Sequence, residues 1–213
     1  MREPQRGSRI RFQFRERAAS TLVGVAFRHA RGVSDDANAR RDPDVRSVLP
    51  DVLRPCLAIV FCGTAAGTAS ARKRAYYAGP GNAFWPTLFE VGLTPRRLAP
   101  EEFNCVTEFG LGLTDLAKSV AGSDRRLREE CFDRAGLETR ILLHAPKIVA
   151  FTSKRAGETF LEESVRYGLQ DRAIGRTRLF VLPSPWGAAR RWWDPEVWRE
   201  LARVAERTTR QPR

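Results

Sequence analysis

Residues 57–85 read Leu57-Ala58-Ile59-Val60-Phe61-Cys62, then Gly63-Thr64-Ala65-Ala66-Gly67-Thr68-Ala69-Ser70-Ala71-Arg72-Lys73-Arg74-Ala75-Tyr76-Tyr77-Ala78-Gly79-Pro80-Gly81-Asn82-Ala83-Phe84-Trp85. The apolar run Leu57–Cys62 predicts a strand buried on both faces, the usual pattern of a central parallel strand. A small-residue loop, a basic tip and an aromatic pair follow, and then a helix over Asn82 to Val91. That order places a ligand pocket at the carboxyl edge of a sheet. Gly63, Ala65, Ala66 and Gly67, with little or no side chain, let a flat ligand approach the backbone. Tyr76 and Tyr77 offer ring faces for stacking, and Arg72, Lys73 and Arg74 suit phosphates.

Two more apolar runs repeat the pattern. Lys147–Thr152 reads as a second buried strand, with Ser153 capping a helix from Lys154 to Glu163. Thr177–Leu182 reads as a third strand. It ends in Pro183-Ser184-Pro185-Trp186-Gly187-Ala188-Ala189-Arg190-Arg191. Asp194 and Pro195 then start a final helix, with Val197, Trp198, Leu201, Val204 and Ala205 as its core stripe, which makes Trp198 a core residue. Between these runs, 98–109 predicts a short helix opened by Pro100-Glu101-Glu102. Residues 124–144 predict a long helical stretch with Leu127, Cys131, Phe132, Ala135, Ile141 and Leu142 on one side, and Gly136 as a break. Phe109–Leu116 is either a strand held near a ligand by Gly110 and Gly112 or a turn with Asp115 as a helix cap. Strands alternating with helices imply an α/β fold, a parallel sheet between helical layers.

The chain has 213 residues, a net charge of +12 and 42% hydrophobic residues, as expected for one domain with a substantial core. Residues 1–50 carry +5, 51–100 carry +4, 101–150 carry −2 and 151–213 carry +5. The basic excess gathers around the two loop motifs and the tail, which favours a polyanionic partner. Residues 1–50 form a basic, partly flexible segment with one apolar island at Leu22–Phe27, and 51–213 form the folded domain. Cys56, Cys62, Cys105 and Cys131 show no Cys-x-x-Cys pair, and only His29 and His144 accompany them. A zinc site is therefore not expected, no cofactor is called for, and Cys62 and Cys131 read as buried thiols in a reducing compartment. No apolar run is long enough for a bilayer. A cytoplasmic monomer is expected, nucleoid-associated in a bacterial source.

The motifs resemble those of the uracil-DNA glycosylase superfamily, in particular its thymine-DNA and mismatch-specific uracil-DNA branches. Gly63 and Gly67 match the two glycines of Gly-Ile-Asn-Pro-Gly. Tyr77 falls at the base-stacking aromatic, and Gly79–Trp85 matches the motif's Pro-Gly-Asn-x-Phe-Trp end without a gap. Phe109–Leu116 resembles Tyr-Gly-Ile-Gly-Phe-Thr-Asn-Met, with Asp115 at the base-contacting Asn. The loop Leu182–Arg190 resembles Leu-Pro-Asn-Pro-Ser-Gly-Leu-Ser-Arg, and Ser184 stands at its Asn. The catalytic Asn of the first motif is Ala65 here. The hypoxanthine-DNA branch also lacks that Asn and also ends in Asn-Ala-Phe-Trp.

The resemblance spans about residues 51–207. It implies a three-layer α/β/α sandwich with a short central parallel sheet. It also implies excision of a deaminated base, uracil first, from single- or double-stranded DNA. Backbone amides of Thr64–Gly67 would donate to base oxygens, and Tyr77 would stack on the extruded base. Asn82 and Asp115 would be the catalytic candidates, Asn82 also contacting the base edge. Arg72, Lys73 and Arg74, with the loop Ser184, Pro185, Trp186, Gly187, Ala188, Arg190 and Arg191, would contact DNA. The family's plug position falls on the small Ala188, for which Trp186, Arg190 or Arg191 can substitute. Two rivals stand beside this reading: a non-catalytic module that recognises uracil or abasic sites, and an unrelated α/β enzyme binding phosphate at Gly63–Gly67. The absence of Gly-Lys-Ser/Thr after that loop counts against a nucleoside triphosphatase.

Overall fold

The structure is a computed structural model and describes residues 47–122, 126–187 and 193–210. The basic segment before residue 47, with its island Leu22–Phe27, lies outside the described residues, as do Ala188, Arg190 and Arg191. Five strands form one sheet: β1 (Ile59–Ala66), β2 (Leu111–Ala121), β3 (Ile148–Phe151), β4 (Gly168–Ile174) and β5 (Thr177–Val181). Their order is β2-β1-β3-β5-β4. All neighbours are parallel except the β4–β5 pair.

Period-two alternation sends each strand's side chains into two separate cores. Ile59, Phe61, Leu111, Leu113, Ile148, Ala150 and Phe180 pack with α2 (Phe84–Glu90), the 3-10 helix Pro100–Phe109 and α5 (Pro195–Arg210). Val60, Cys62, Val149, Phe151, Leu179 and Val181 pack with α3 (Arg134–His144) and α4 (Lys154–Leu161). The result is the expected sandwich, helices on both sides of one sheet. Trp198 is fully buried among the aromatic rings of the first core and donates its Nε1–H to the Pro183 carbonyl at 3.3 Å. No helix among the described residues is long and apolar enough to cross a membrane.

Several local expectations change. The stretch Gly63–Ala66 is not a loop, because β1 continues through it and pairs with β2 as far as Ala66–Ala121. A short helix, α1 (Thr68–Lys73), takes the place of the rest of that loop. The helix read from Asn82 begins at Phe84, since the Asn82 side chain accepts the Phe84 N–H at 2.9 Å and so stands ahead of it. Of residues 109–116, the strand starts at Leu111, after Phe109 ends the 3-10 helix and Gly110 turns the chain; within it Gly112 admits the close approach of the chain around Val52. A Cβ there would lie 2.8 Å from the Val52 carbonyl oxygen and 2.7 Å from Leu57 Cδ1. The long helix read over 124–144 is only α3. Asp133 caps it by accepting the Gly136 N–H, so Gly136 sits inside the helix rather than breaking it. Leu137 and Ile141 are its buried residues, whereas Leu142 is exposed. Cys62 is buried as expected, but Cys131 is only partly so. The strand β4 has no counterpart in the sequence reading.

Candidate active site

The sheet has its switch point at β1, which is followed in sequence by β2 on one side and flanked by β3 on the other. The β1–β3 ladder stops at Cys62–Phe151, while β1 stays paired with β2 for several residues more. The strands part there, at their carboxyl ends, which is where open α/β sheets hold ligands. A cleft of about 890 Å³ occupies the gap, within the usual size of a small-molecule site.

Most of the residues singled out by sequence meet in this cleft. Gly63, Thr64, Ala65 and Gly67 form its floor, Tyr77 and Asn82 one wall, and Asp115 the β2 side, while Ser184, Pro185 and Trp186 make the rim. Arg72, Lys73 and Arg74 are exposed at the end of α1 and do not line it. Gly187 packs against Gly81 on the outside of the rim.

The two loop motifs are joined by backbone. The Ala83 N–H donates to the Pro185 carbonyl at 2.8 Å, so the aromatic wall and the rim hold a fixed spacing. Trp186 projects from that rim with 54% of its surface exposed. An exposed indole beside a cleft offers a face on which a flat ring can stack.

Tyr77 has a left-handed backbone, with φ of +53°, a conformation that costs a non-glycine residue energy and needs support from its surroundings. Four contacts supply it. The ring stacks on buried Phe84, with centroids 3.7 Å apart and planes 15° apart. The hydroxyl lies 3.3 Å from Thr152 Oγ1. The flanking chain is pinned where Ser70 Oγ accepts the Ala78 N–H at 3.1 Å and Trp85 Nε1 donates to the Tyr76 carbonyl at 3.0 Å. Tyr76 itself is 2% exposed and packs edge-on to Phe103.

Asp115 is 4% exposed and lies opposite Gly63 in the β1–β2 register. A Cβ on Gly63 would stand 2.4 Å from Asp115 Oδ1 and 3.7 Å from the Tyr77 hydroxyl. Glycine at 63 is therefore what admits the carboxylate. The strand carrying it is steadied from behind. Arg140 donates to the Asp115 carbonyl at 3.5 Å and pairs with Asp51 and Asp133. Asp51 also binds Lys118 at 2.6 Å and accepts from Thr114 Oγ1 at 2.6 Å. The electrostatics follow chiefly from burial and the Asp115 charge, with a smaller part from Asp51. Burial first, then the Asp115 charge, push the Tyr77 phenol well above its ordinary value. The same two causes raise Tyr76 and the Cys62 thiol. All three groups are neutral at physiological pH.

Sequence reading missed Leu49, Ser70, Thr152 and Ser153 as cleft residues. For Thr152 and Ser153 a signal existed: they follow the apolar run of β3, and residues just past a parallel strand face the crevice. Ser153 caps α4, accepting the Ala156 N–H at 3.0 Å, and also lies 3.3 Å from Thr64 Oγ1. No group of three or more His, Cys, Asp or Glu able to hold a metal occurs among the described residues.

This geometry defines an α/β/α chain with a ligand cleft at its switch point and one buried carboxylate beside an aromatic wall. The family model of the uracil DNA glycosylase superfamily matches residues 50–202. The fold is also similar to a solution NMR structure from Methanosarcina acetivorans described as a candidate uracil DNA glycosylase. The two share 23% identity, the match covers 76% of this chain and 96% of that one, and the TM-score is 0.50. The chain belongs to the uracil DNA glycosylase superfamily.

Proposed function

We propose that this protein hydrolyses the N-glycosidic bond of a deaminated base, uracil first, after the nucleotide has been turned out of DNA into the cleft. The observation that carries this reading is the meeting of Asp115, Asn82 and Tyr77 in one cleft between two loops tied by the Ala83–Pro185 bond. A base buried in duplex DNA hides its glycosidic bond, so the enzyme must seat it outside the stack. Tyr77, backed by Phe84, presents a ring already braced for stacking. Trp186 on the rim and the basic tip Arg72-Lys73-Arg74 beyond the cleft are where the DNA strand would run.

In the reaction the C1′–N bond breaks with its electrons going to the base, and water oxygen bonds C1′. Positive charge grows on the sugar and negative charge on the base. The Asp115 carboxylate opposes the first and accepts a proton of the attacking water. Asn82 serves the second: its Oδ1 is taken up by the Phe84 N–H, which leaves the Nδ2 donor for a base oxygen or for the water. The methyl of Ala65 positions nothing, so these two residues carry the work that the family's Asn would do. The expected test is incubation with labelled oligonucleotides containing uracil, thymine or hypoxanthine, single- and double-stranded, followed by alkaline cleavage. Strand breaks at uracil support the reading. Ala65 favours one rival, a damage-recognition module that binds uracil or abasic sites without cleaving. That rival gives tight binding to abasic DNA and no breaks with any base.

A further inference from the structure

Thr152 is nearly fully buried at the end of β3, and its hydroxyl touches two oxygens. Cys62 O lies 3.4 Å away and Tyr77 Oη 3.3 Å away. A hydroxyl has one proton and two lone pairs, and a carbonyl oxygen only accepts. Both contacts are hydrogen bonds only if Thr152 donates to Cys62 O and accepts from Tyr77. The Cys62 carbonyl also accepts the Thr152 N–H at 2.9 Å, so Thr152 is held from both its backbone and its side chain.

We propose that Thr152 is the positioning residue for the cleft's stacking ring: its hydroxyl accepts the Tyr77 proton and fixes the plane and rotation of that ring against Phe84. This rests on the reading of Tyr77 as the platform for an extruded base. The geometry gives the bond a task. A left-handed Tyr77 has a cost that Phe84 stacking alone offsets only in the direction normal to the ring. Stacking leaves the ring able to slide in its own plane, because an offset pair is favourable over a range of offsets. The hydroxyl bond removes that freedom at the ring's far end. The phenol is held neutral by burial and the Asp115 charge, so the donor is present throughout the physiological range. At 3.3 Å the bond is longer than a usual hydroxyl pair, which makes its role one of alignment more than of stability.

The test has two arms. In a chain whose only tyrosine is Tyr77 (Tyr76→Phe with Tyr167→Phe), the tyrosine Raman doublet reports whether the phenol donates. A donor signature that is lost in Thr152→Val and kept in Thr152→Ser is expected. The same doublet in Thr152→Val and in the parent would overturn the proposal, whatever the protein does to DNA. The second arm compares affinity for a uracil-containing oligonucleotide with affinity for the matching abasic one. Thr152→Val is expected to lower the first several-fold and to leave the second unchanged. Thr152→Ser is expected to restore it, and Thr152→Val to cost nothing more in a Tyr77→Phe background. Equal losses on both DNAs, or additive losses with Tyr77→Phe, would also overturn it. If the parent protein does not distinguish uracil from abasic DNA while the Raman change is present, the contact stands and the reading of Tyr77 as a base platform fails.

Discussion

Asp115 and Gly63 face each other across β1 and β2 so closely that one methyl group on Gly63 would stand 2.4 Å from Asp115 Oδ1. Gly63→Ala must therefore push the carboxylate aside. We expect it to destabilise the fold by on the order of 1–3 kcal/mol, as overpacking does, and to abolish most base release. In an Asp115→Ala background the same substitution should cost much less, because the clash is gone. Chemical denaturation of the four proteins measures the coupling, and additive losses would mean that Asp115 is not what requires glycine at 63.

Adjacent tyrosines should fail in different ways. Both border the cleft, but Tyr76 is a buried core residue packed on Phe103, whereas Tyr77 is only half-buried. Tyr76→Ala is expected to cost roughly 3–5 kcal/mol of stability, the scale for removing a buried aromatic side chain. Tyr77→Ala is expected to weaken binding to uracil-containing DNA by about 1–3 kcal/mol, the scale of base–aromatic stacking. Melting curves and a binding titration on each variant separate the two roles.

The basic tip should appear in the salt dependence. Arg72, Lys73 and Arg74 are exposed at the end of α1, beyond the cleft itself. Affinity for DNA should fall steeply with salt. Replacing all three with alanine should flatten the log–log slope by roughly 0.9 for each duplex phosphate that is no longer neutralised. A parent protein with a flat slope would refute phosphate binding as the source of affinity.

Alkaline pH should weaken the fold. The folded state raises Cys62 above its ordinary 9.0 and Tyr76 and Tyr77 above their ordinary 10.0. A raised value means that the folded chain holds protons the unfolded chain has released, so stability falls as pH rises. The contribution of Cys62 is complete below about pH 9 and those of the tyrosines below about pH 10; each declines above that point. Denaturation between pH 8 and 11 should show the decline, and Cys62→Ala should remove its earliest part.

What the sequence made legible follows from where the signal is local. β1, β3 and β5 are apolar on both faces, so a plain hydrophobic run reveals them. β2 follows Gly110 and carries Gly112 and Asp115 for the sake of close approach and the cleft, and those residues erase the strand pattern. β4 is an edge strand whose exposed Asp171 and Arg172 suit an edge and hide it in composition. The site was legible where the motif is contiguous, as from Gly63 to Asn82. Asp115 and the rim were visible only through the family resemblance. The position of Thr152 just past β3 was a signal for the cleft, but its bonds were not visible, because its partners Cys62 and Tyr77 are brought to it by the sheet and not by spacing along the chain. The Asn82–Phe84 bond likewise sets Asn82 ahead of the helix and not within it, a distinction that sequence pattern does not draw.

The most direct test of the account is single-turnover release of uracil at saturating enzyme by the parent protein, Asn82→Ala and Asp115→Asn. Asn82→Ala also loses its bond to the Phe84 N–H, so a loss of about 1 kcal/mol in stability is expected with it and is measured separately. Asp115→Asn keeps shape and removes charge. The account predicts release by the parent and a large fall in rate for both variants. DNA affinity should be nearly unchanged, because water and charge positioning act in the transition state while phosphate contacts set ground-state binding. Undiminished rates in both variants would contradict it, as would a parent protein that binds uracil-containing DNA and releases no base.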